Sequence, residues 1–168
     1  SKFGIAPDEL DRVLEAADKA GATIVALHAH AGSGILSHEA WAETAHFLAS
    51  VAARVPTVRA LDLGGGLGIA EKPEQQPLDL QAVNHSLSAF KADHPDLALW
   101  IEPGRFLVAK AGVLLARVTQ VKTKGDVRYV GVETGMNSLI RPALYGAYHP
   151  IHNLTRLDAP RIQRAHVV

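Results

Sequence analysis

The sequence predicts an α/β fold, because segments with helical periodicity alternate with short apolar segments over about the first 100 residues. The apolar segments 22–29, 57–63 and 97–101 have the length and near-continuous hydrophobicity of strands that are buried on both faces. The helical segments are 8–20, 38–53 and 79–93. This alternation indicates parallel strands joined by helices, as in a barrel or a doubly wound sheet.

The first helix–strand–helix series covers residues 8–53. Apolar residues recur at helical spacing from Leu10 to Ala20, and Gly21 ends the pattern. The run that follows is apolar at Ile24, Val25 and Leu27. Ser37 is predicted to be the N-cap of the second helix.

The second strand ends in Gly64-Gly65-Gly66, and a polar loop with two prolines leads to the third helix at Asp79. The third strand ends in Glu102-Pro103-Gly104-Arg105. Glu102 lies between an apolar strand and a proline, so its side chain is not expected to be freely solvated.

The pattern changes after about Val108. Residues 112–121 and 127–133 are β-rich, and the short spacer 122–126 permits a hairpin and not a helical crossover. A second, antiparallel β-region is therefore predicted to start near Val108. The tail from Ile151 is polar and carries no recognisable pattern.

Composition narrows the classes of function. Lys+Arg and Asp+Glu are 17 each, so no net field attracts nucleic acid or an anionic membrane. The chain has no cysteine, which excludes disulfides and thiolate metal sites. No apolar run approaches the roughly 18 residues of a membrane span, and the expected location is cytoplasmic. The start without Met reads as a piece of a longer polypeptide.

Unusual residues follow all three predicted strands: His28-Ala29-His30-Ala31-Gly32-Ser33-Gly34, then the glycine cluster, then Glu102 to Arg105. In a parallel barrel these ends lie at the C-terminal face, where active sites are built. Glycines let backbone N–H groups approach a phosphate closely, although a tight turn explains them equally well. Ser33 can add a hydroxyl to the same phosphate or serve only as a turn residue.

His28 and His30 lie on one face of a strand, because they are two residues apart. A zinc site is one interpretation, but the glycine motif is expected to offer no further ligand and only Glu102 remains. A neutral His30 ring stacked on an aromatic ligand is the favoured one. Glu102 can keep a pyridine nitrogen protonated, or it can form a structural salt bridge with Arg105.

Arg141 and Tyr145 stand in the segment NSLIRPALYGAY of the second region. The planar fork of Arg141 suits a carboxylate, and the hydroxyl of Tyr145 suits a phosphate or a substrate. A surface role for the segment is the alternative.

Together the motifs HAHAGSGI, LDLGGGLGI, EPGRFLVAKAGVLL and ETGMNSLIRPALYGAYH resemble the fold-type III pyridoxal phosphate (PLP)-dependent decarboxylases, and among them the diaminopimelate decarboxylases. The resemblance extends to about Tyr148. It implies the C-terminal part of a (β/α)8 PLP-binding barrel at 1–107, followed by the start of an antiparallel β-domain at 108–168. The implied reaction converts meso-diaminopimelate to L-lysine and CO2.

The resemblance also implies residue roles. His30 would stack on the PLP ring, and Glu102 would pair with its nitrogen. Arg105, Arg141 and Tyr145 would hold the distal end of the amino-acid substrate or the phosphate. The phosphate end would be lined by Ser33, Gly64, Gly65, Gly66, Gly104 and Arg105.

Several family features are absent from the 168 residues. They include the cofactor-anchoring lysine motif, expected upstream, and the Cys-Glu motif that a partner subunit supplies in the family's homodimers. Glu133 stands at a position where the family commonly has Asp. This chain alone is therefore expected to be inactive, and a parent fused to an aspartate kinase would fit the start at Ser1.

A partial barrel also exposes a sheet edge, so self-association or binding of a complementary fragment is predicted. The alternative functions are a carboxynorspermidine or arginine decarboxylase, a non-catalytic PLP-binding or oligomerisation module, and a zinc hydrolase.

Overall fold

A computed structural model describes residues 3–160 and 162–168 of the chain. It has an α/β architecture with one parallel and one mixed three-stranded sheet. The chain divides into two compact units, each of which is described by itself. The first comprises Ser1–Ala70 and Gln76–Ala111, and the second comprises Glu71–Gln75 and Gly112–Val168.

The first unit is built on three parallel strands in the order β1–β2–β3, with a helix between each pair of strands. Its strands are β1 (Ala26–His28), β2 (Ala60–Asp62) and β3 (Ala98–Trp100). Its helices are α1 (Leu10–Lys19), α2 (Glu39–Ala52), α3 (Leu80–Asp93) and α4 (Gly104–Val108), with a 3-10 turn at Pro7–Glu9.

The two faces of this sheet differ in side-chain size. Leu27, Leu61 and Leu99 are in register and pack in the core with α1, α2 and α3. Alanines are in register one residue earlier on the opposite face, as the alternation of a strand requires. The buried core consists of Leu10, Trp41, Ala45, Leu48, Ala52, Val55, Val58, Leu61, Leu63, Leu67, Leu78, Val83 and Phe90.

The third helix begins as its sequence predicts, and the second does not. The carboxylate of Asp79 caps α3 by accepting hydrogen bonds from the backbone N–H groups of Gln81 and Ala82 at 2.9 and 3.0 Å. The prediction that Ser37 is the N-cap of α2 is wrong, because His38 holds that position without a side-chain cap bond. A hydrogen bond from its own backbone N–H holds the pKa of Glu39 below its usual value, with smaller contributions from His38 and Ser37.

The strands are shorter than the apolar runs that predict them. Residues 22–29 yield only Ala26–His28, although the carbonyl of Val25 still accepts a hydrogen bond from Arg59 N–H at 2.8 Å. Val25 is 56% exposed, since β1 is an edge strand of the described sheet. Apolar character therefore extends beyond the hydrogen-bonded ladder.

The second unit contains the predicted hairpin and one unpredicted strand. β4 (Val118–Lys124) pairs antiparallel with β5 (Val127–Val132), and β6 (His166–Val167) pairs parallel with β5. The described sheet is thus mixed and not purely antiparallel, because the tail that seemed featureless returns alongside β5. A short helix, α5 (Arg141–Tyr145), ends at Gly146 in a left-handed conformation, and a 3-10 turn spans Leu154–Arg156.

Among the described residues, none of the helices combines the length and apolarity that crossing a bilayer requires.

Candidate functional site

The segments after β1, β2 and β3 continue to pair beyond the strands. Ala29 N–H donates to the carbonyl of Asp62 at 3.0 Å, and Glu102 N–H donates to the carbonyl of Gly64 at 2.9 Å. Because parallel strands present their carboxyl ends at one edge, these bonds draw the three motif-bearing segments together. Backbone hydrogen bonds therefore bring the three strand ends together.

Glycine is required where the three segments meet. Gly64 has a φ of +69°, and a Cβ atom added to it would lie 2.8 Å from Nδ1 of His30. A Cβ atom on Gly65 would lie 2.7 Å from the carbonyl oxygen of Glu102. Both distances are shorter than real Cβ contacts, so a side chain at either position would push the strand ends apart.

A short bridge joins the segment after β1 to the segment after β2. Ile35 N–H donates to the carbonyl of Gly66, and Gly68 N–H donates to the carbonyl of Ile35, both at 2.9 Å. Gly66 has a φ of +105° and packs against the backbone of Gly32. This bridge holds the loop that carries Ser33 beside the glycine cluster.

His30 contacts the glycine cluster through one ring nitrogen. Its Nδ1 accepts a hydrogen bond from the backbone N–H of Gly65 at 3.2 Å. An accepting nitrogen carries no hydrogen, so the proton of the neutral ring lies on Nε2. The bond orients the ring at the edge of the strand ends and leaves its faces available for stacking.

A cavity of about 230 Å³ lies at this junction. Of the residues selected from the sequence, it is lined by His30, Ser33, Gly65, Gly66, Glu102, Gly104 and Arg105. Gly64 does not line it, and its N–H donates a hydrogen bond to the carboxylate of Asp62 at 2.9 Å. Four lining residues were not selected, although each adjoins a selected motif: Gly34, Leu67, Pro103 and Phe106.

Glu102 is more exposed than its sequence context predicts. Its side chain is 59% exposed, so the expectation that it is not freely solvated is wrong. Trp100 and Ile101 beside it are also about half exposed, because β3 is an edge strand of the described sheet. The carboxylate is therefore accessible from the cavity, and its Oε2 lies 3.6 Å from Nε2 of His28.

His28, Asp62 and Glu102 form a compact polar group, here called the strand-end triad. One ligand atom from each lies within 4.8 Å of the other two. The glycine motif itself contributes no residue to this group, and Asp62, which ends β2 just before the motif, does. An aspartate two residues before a glycine reads as a turn former, which is why its sequence context did not single it out.

Arg141 and Tyr145 lie on α5 of the second unit. The guanidinium of Arg141 donates to Glu71 Oε1 at 2.9 Å and contacts Nε2 of His149 at 3.2 Å. Arg141 and Glu71 are only 30% and 24% exposed, so this ion pair is partly shielded from solvent. Tyr145 is 72% exposed.

The amino-acid sequence of most of the chain matches the model of a known protein family. Residues 1–109 match the family model described as the pyridoxal binding domain of pyridoxal-dependent decarboxylases. The chain belongs to the pyridoxal-dependent decarboxylase family. The resemblance to PLP-dependent decarboxylases is thereby confirmed, and the cofactor of the family is pyridoxal phosphate.

Individual relatives agree with this assignment. The diaminopimelate decarboxylase of Methanothermobacter thermautotrophicus is 38% identical over 95% of this chain and 40% of its own length. A crystal structure of AQ1208 from Aquifex aeolicus superposes with a TM-score of 0.86 at 33% identity, over 100% of this chain and 42% of that one.

A second solved structure is named for a ligand complex. Diaminopimelate decarboxylase from Helicobacter pylori, complexed with L-lysine, superposes with a TM-score of 0.78 at 31% identity, over 94% of this chain and 40% of that one. The chain spans about 40% of the length of the curated relatives that it matches.

The residues at the junction fit pyridoxal phosphate. The Cβ-free backbone of Gly65 and Gly66 borders the cavity, as close approach to a phosphate requires. Ser33 and Arg105 line the same cavity with a hydroxyl and a guanidinium, both of which bind phosphate oxygens. Glu102 supplies a carboxylate, and His30 supplies a planar ring. The donor set therefore matches both the anionic and the aromatic parts of the cofactor.

Proposed function

We propose that this chain is part of a PLP-dependent enzyme that converts meso-diaminopimelate to L-lysine and CO2. In this reaction the bond between the D-configured carbon and its carboxyl group breaks, CO2 leaves, and a proton takes its place. The family, the relatives named diaminopimelate decarboxylase and the junction of three strand ends all support this function. A homodimeric, cytoplasmic enzyme that binds neither nucleic acid nor membrane is part of the same proposal.

The proposal includes the architecture of the whole enzyme. Residues 1–107 would form the C-terminal part of a (β/α)8 barrel, and residues 108–168 would begin the β-domain. The parallel order β1–β2–β3, with its helices in the core on one face, supports a barrel segment. The alanines on the other face suit a crowded barrel interior, since small side chains allow opposite strands to approach.

Pyridoxal phosphate, when bound, supplies an aromatic ring that withdraws electrons from the carbon that loses CO2. The carboxylate of Glu102 would hold a proton at the ring nitrogen, and this makes the ring a stronger acceptor. The ring of His30 would stack on the cofactor, oriented by its bond to Gly65. Both residues are catalytic in this proposal, because they touch the cofactor.

The phosphate would be held by backbone and side-chain donors together. Gly64, Gly65 and Gly66 let the backbone approach, Ser33 would donate a hydroxyl, and Gly104 and Arg105 would complete the site. The N–H of Gly64 is already bound to Asp62, so Gly64 would shape the turn and leave direct hydrogen bonds to its neighbours.

The substrate would be oriented by charged and hydroxyl groups. Arg105, Arg141 and Tyr145 are the residues proposed to bind it. The planar fork of a guanidinium grips a carboxylate with two parallel hydrogen bonds, which fixes orientation as well as charge. Glu71 and His149 already restrain the Arg141 guanidinium, which favours a defined geometry over a mobile one.

The single observation that carries the proposal is the meeting of His30, Gly65 and Glu102 at one cavity. The test is release of L-lysine and CO2 from meso-diaminopimelate by the gene product as it is encoded, with PLP. We expect E102Q to lower kcat by about 10²–10⁴-fold, as loss of a group that holds a catalytic proton does. The matched control is E15Q, which changes an exposed carboxylate on α1.

Other substrates and chemistries are distinguished in the same assay. A higher kcat/KM for arginine or carboxynorspermidine would reassign the substrate within the family. A gene product that binds PLP and releases no product from any of these would be a non-catalytic module. A purified gene product that holds stoichiometric zinc and lacks PLP absorbance would favour a hydrolase.

A further inference from the structure

The strand-end triad has no assigned role in the proposed function apart from Glu102. His28 and Asp62 are register partners on β1 and β2. Trp100 is the partner of Asp62 on β3, and Glu102 lies two residues beyond it, so the alternation of side chains places the three on one face. That face carries the alanines and looks away from the helical core.

The strand-end triad contains two close contacts. Nε2 of His28 lies 3.6 Å from Oε2 of Glu102, which is within ion-pair distance. Oδ1 of Asp62 accepts the N–H of Gly64 at 2.9 Å, which fixes this carboxylate against the turn. The Nε2 atom of His28 would also lie 3.2 Å from a Cβ atom on Gly64. His28 therefore lies beside the glycine turn, with its Nε2 atom close to Glu102.

One ligand atom each of His28, Asp62 and Glu102 lies within 4.8 Å of the other two. The other charged or titratable side chains at the cavity are His30, whose Nδ1 is bound to Gly65, and Arg105. Nε2 of His28 lies 3.6 Å from Glu102 Oε2, which is close enough to influence the orientation of that carboxylate.

We propose that His28 is a positioning residue that orients the Glu102 carboxylate toward the ring nitrogen of the bound cofactor. This inference rests on the proposed role of Glu102. A carboxylate shares a proton with a pyridine nitrogen only when it faces that atom. His28 acts through Glu102 and does not itself contact the cofactor.

The strand-end triad also has the composition of a divalent-cation site, since one imidazole and two carboxylates are ordinary zinc ligands. A bound cation would occupy the Glu102 oxygens that the cofactor needs. The two uses are mutually exclusive, and elemental analysis separates them.

The test uses the encoded gene product loaded with PLP that carries ¹⁵N in its ring. The ¹⁵N resonance at neutral pH reports directly whether the ring nitrogen is protonated, and this readout does not depend on turnover. The removal variant is H28F, which keeps a planar ring without N–H. The rescue variant is H28Q, whose amide places an N–H near the former Nε2 position. The matched control is H38F, which removes another exposed histidine from a 3.5 Å contact with a glutamate.

We expect the unmodified protein, H28Q and H38F to show a protonated ring nitrogen. H28F should shift the resonance toward the unprotonated position and lower kcat roughly tenfold or more, as loss of an orienting partner does. If H28F fails to fold, H28N replaces it, because its shorter amide cannot reach Glu102. H28N should then lose the protonated signal that H28Q keeps.

Two results would overturn the inference while the proposed function stands: an H28F resonance equal to that of the unmodified protein, or a divalent cation retained by the triad through gel filtration of the active protein. The role of Glu102 is tested separately by E102Q. An unchanged resonance in E102Q would remove the basis of the proposed function and of this inference together.

Discussion

Nδ1 of His30 accepts a hydrogen bond from the backbone N–H of Gly65 across two neighbouring strand ends. The two residues belong to different motifs, 35 positions apart in the chain. Each motif alone is a weak indication of a site. The bond brings the two motifs together, because it fixes the His30 ring beside the Gly65 backbone that borders the cavity.

Replacement of Gly65 by alanine should disrupt the junction. The new Cβ atom would meet the carbonyl oxygen of Glu102 at 2.7 Å, and backbone atoms cannot move aside as a flexible side chain can. We expect a loss of about 1–3 kcal/mol in the free energy of unfolding, together with weaker binding of PLP. Chemical denaturation and a PLP titration measure the two effects. The matched control is G112A, where an added Cβ atom meets nothing within 4 Å; equal effects in both variants would refute the crowding.

Leu61 is the centre of the helix-facing row of the parallel sheet. Its side chain is 0% exposed, so L61A should leave a cavity and lower the free energy of unfolding. The expected loss is about 2–5 kcal/mol. The control is L115A, at a position that is 68% exposed, and it should lower the free energy of unfolding by much less. A urea midpoint for L61A close to that of L115A would contradict the core as described.

The Glu71–Arg141 pair should affect substrate binding more than turnover. E71Q weakens the restraint on a guanidinium that is proposed to bind the substrate carboxylate. We expect KM to rise several-fold with kcat little changed, since uniform binding is lost. E74Q, in the same loop, is the control. A fall in kcat at constant KM would argue against a substrate-binding role for Arg141.

The segment 1–168 expressed by itself should self-associate. Exposed apolar residues near the open edge of β3 include Trp100, Ile101 and Leu107, and a shallow apolar groove of about 400 Å³ lies between α3 and β3. Apolar surface of this kind favours association in water. Light scattering after gel filtration measures the mass. A monodisperse monomer at micromolar concentration would show that the exposed edge does not drive association.

The position of the site follows from the sequence to a large extent. Periodicity predicts the helices of the first unit within a few residues, and the three polar strand ends must meet because the strands are parallel. The hairpin β4–β5 is predicted from the short spacer between two β-rich runs. These features depend on local pattern and on general rules of chain topology.

Other features depend on contacts between distant segments. β6 has only two residues, too few for a detectable period, and it becomes a strand because β5 offers an edge. The exposure of Glu102 depends on which segments cover β3, and the local sequence pattern does not predict those segments. Asp62 gains its importance from His28 and Glu102, which lie 34 and 40 residues away in sequence.

A crystal structure of the encoded gene product with PLP is the most direct test of the central claim. We predict the phosphate against Gly65, Gly66 and Ser33, the ring against His30, and the ring nitrogen within hydrogen-bond distance of the Glu102 carboxylate. PLP bound elsewhere, or with its ring nitrogen turned away from Glu102, would contradict the assignment of the three strand ends to one cofactor.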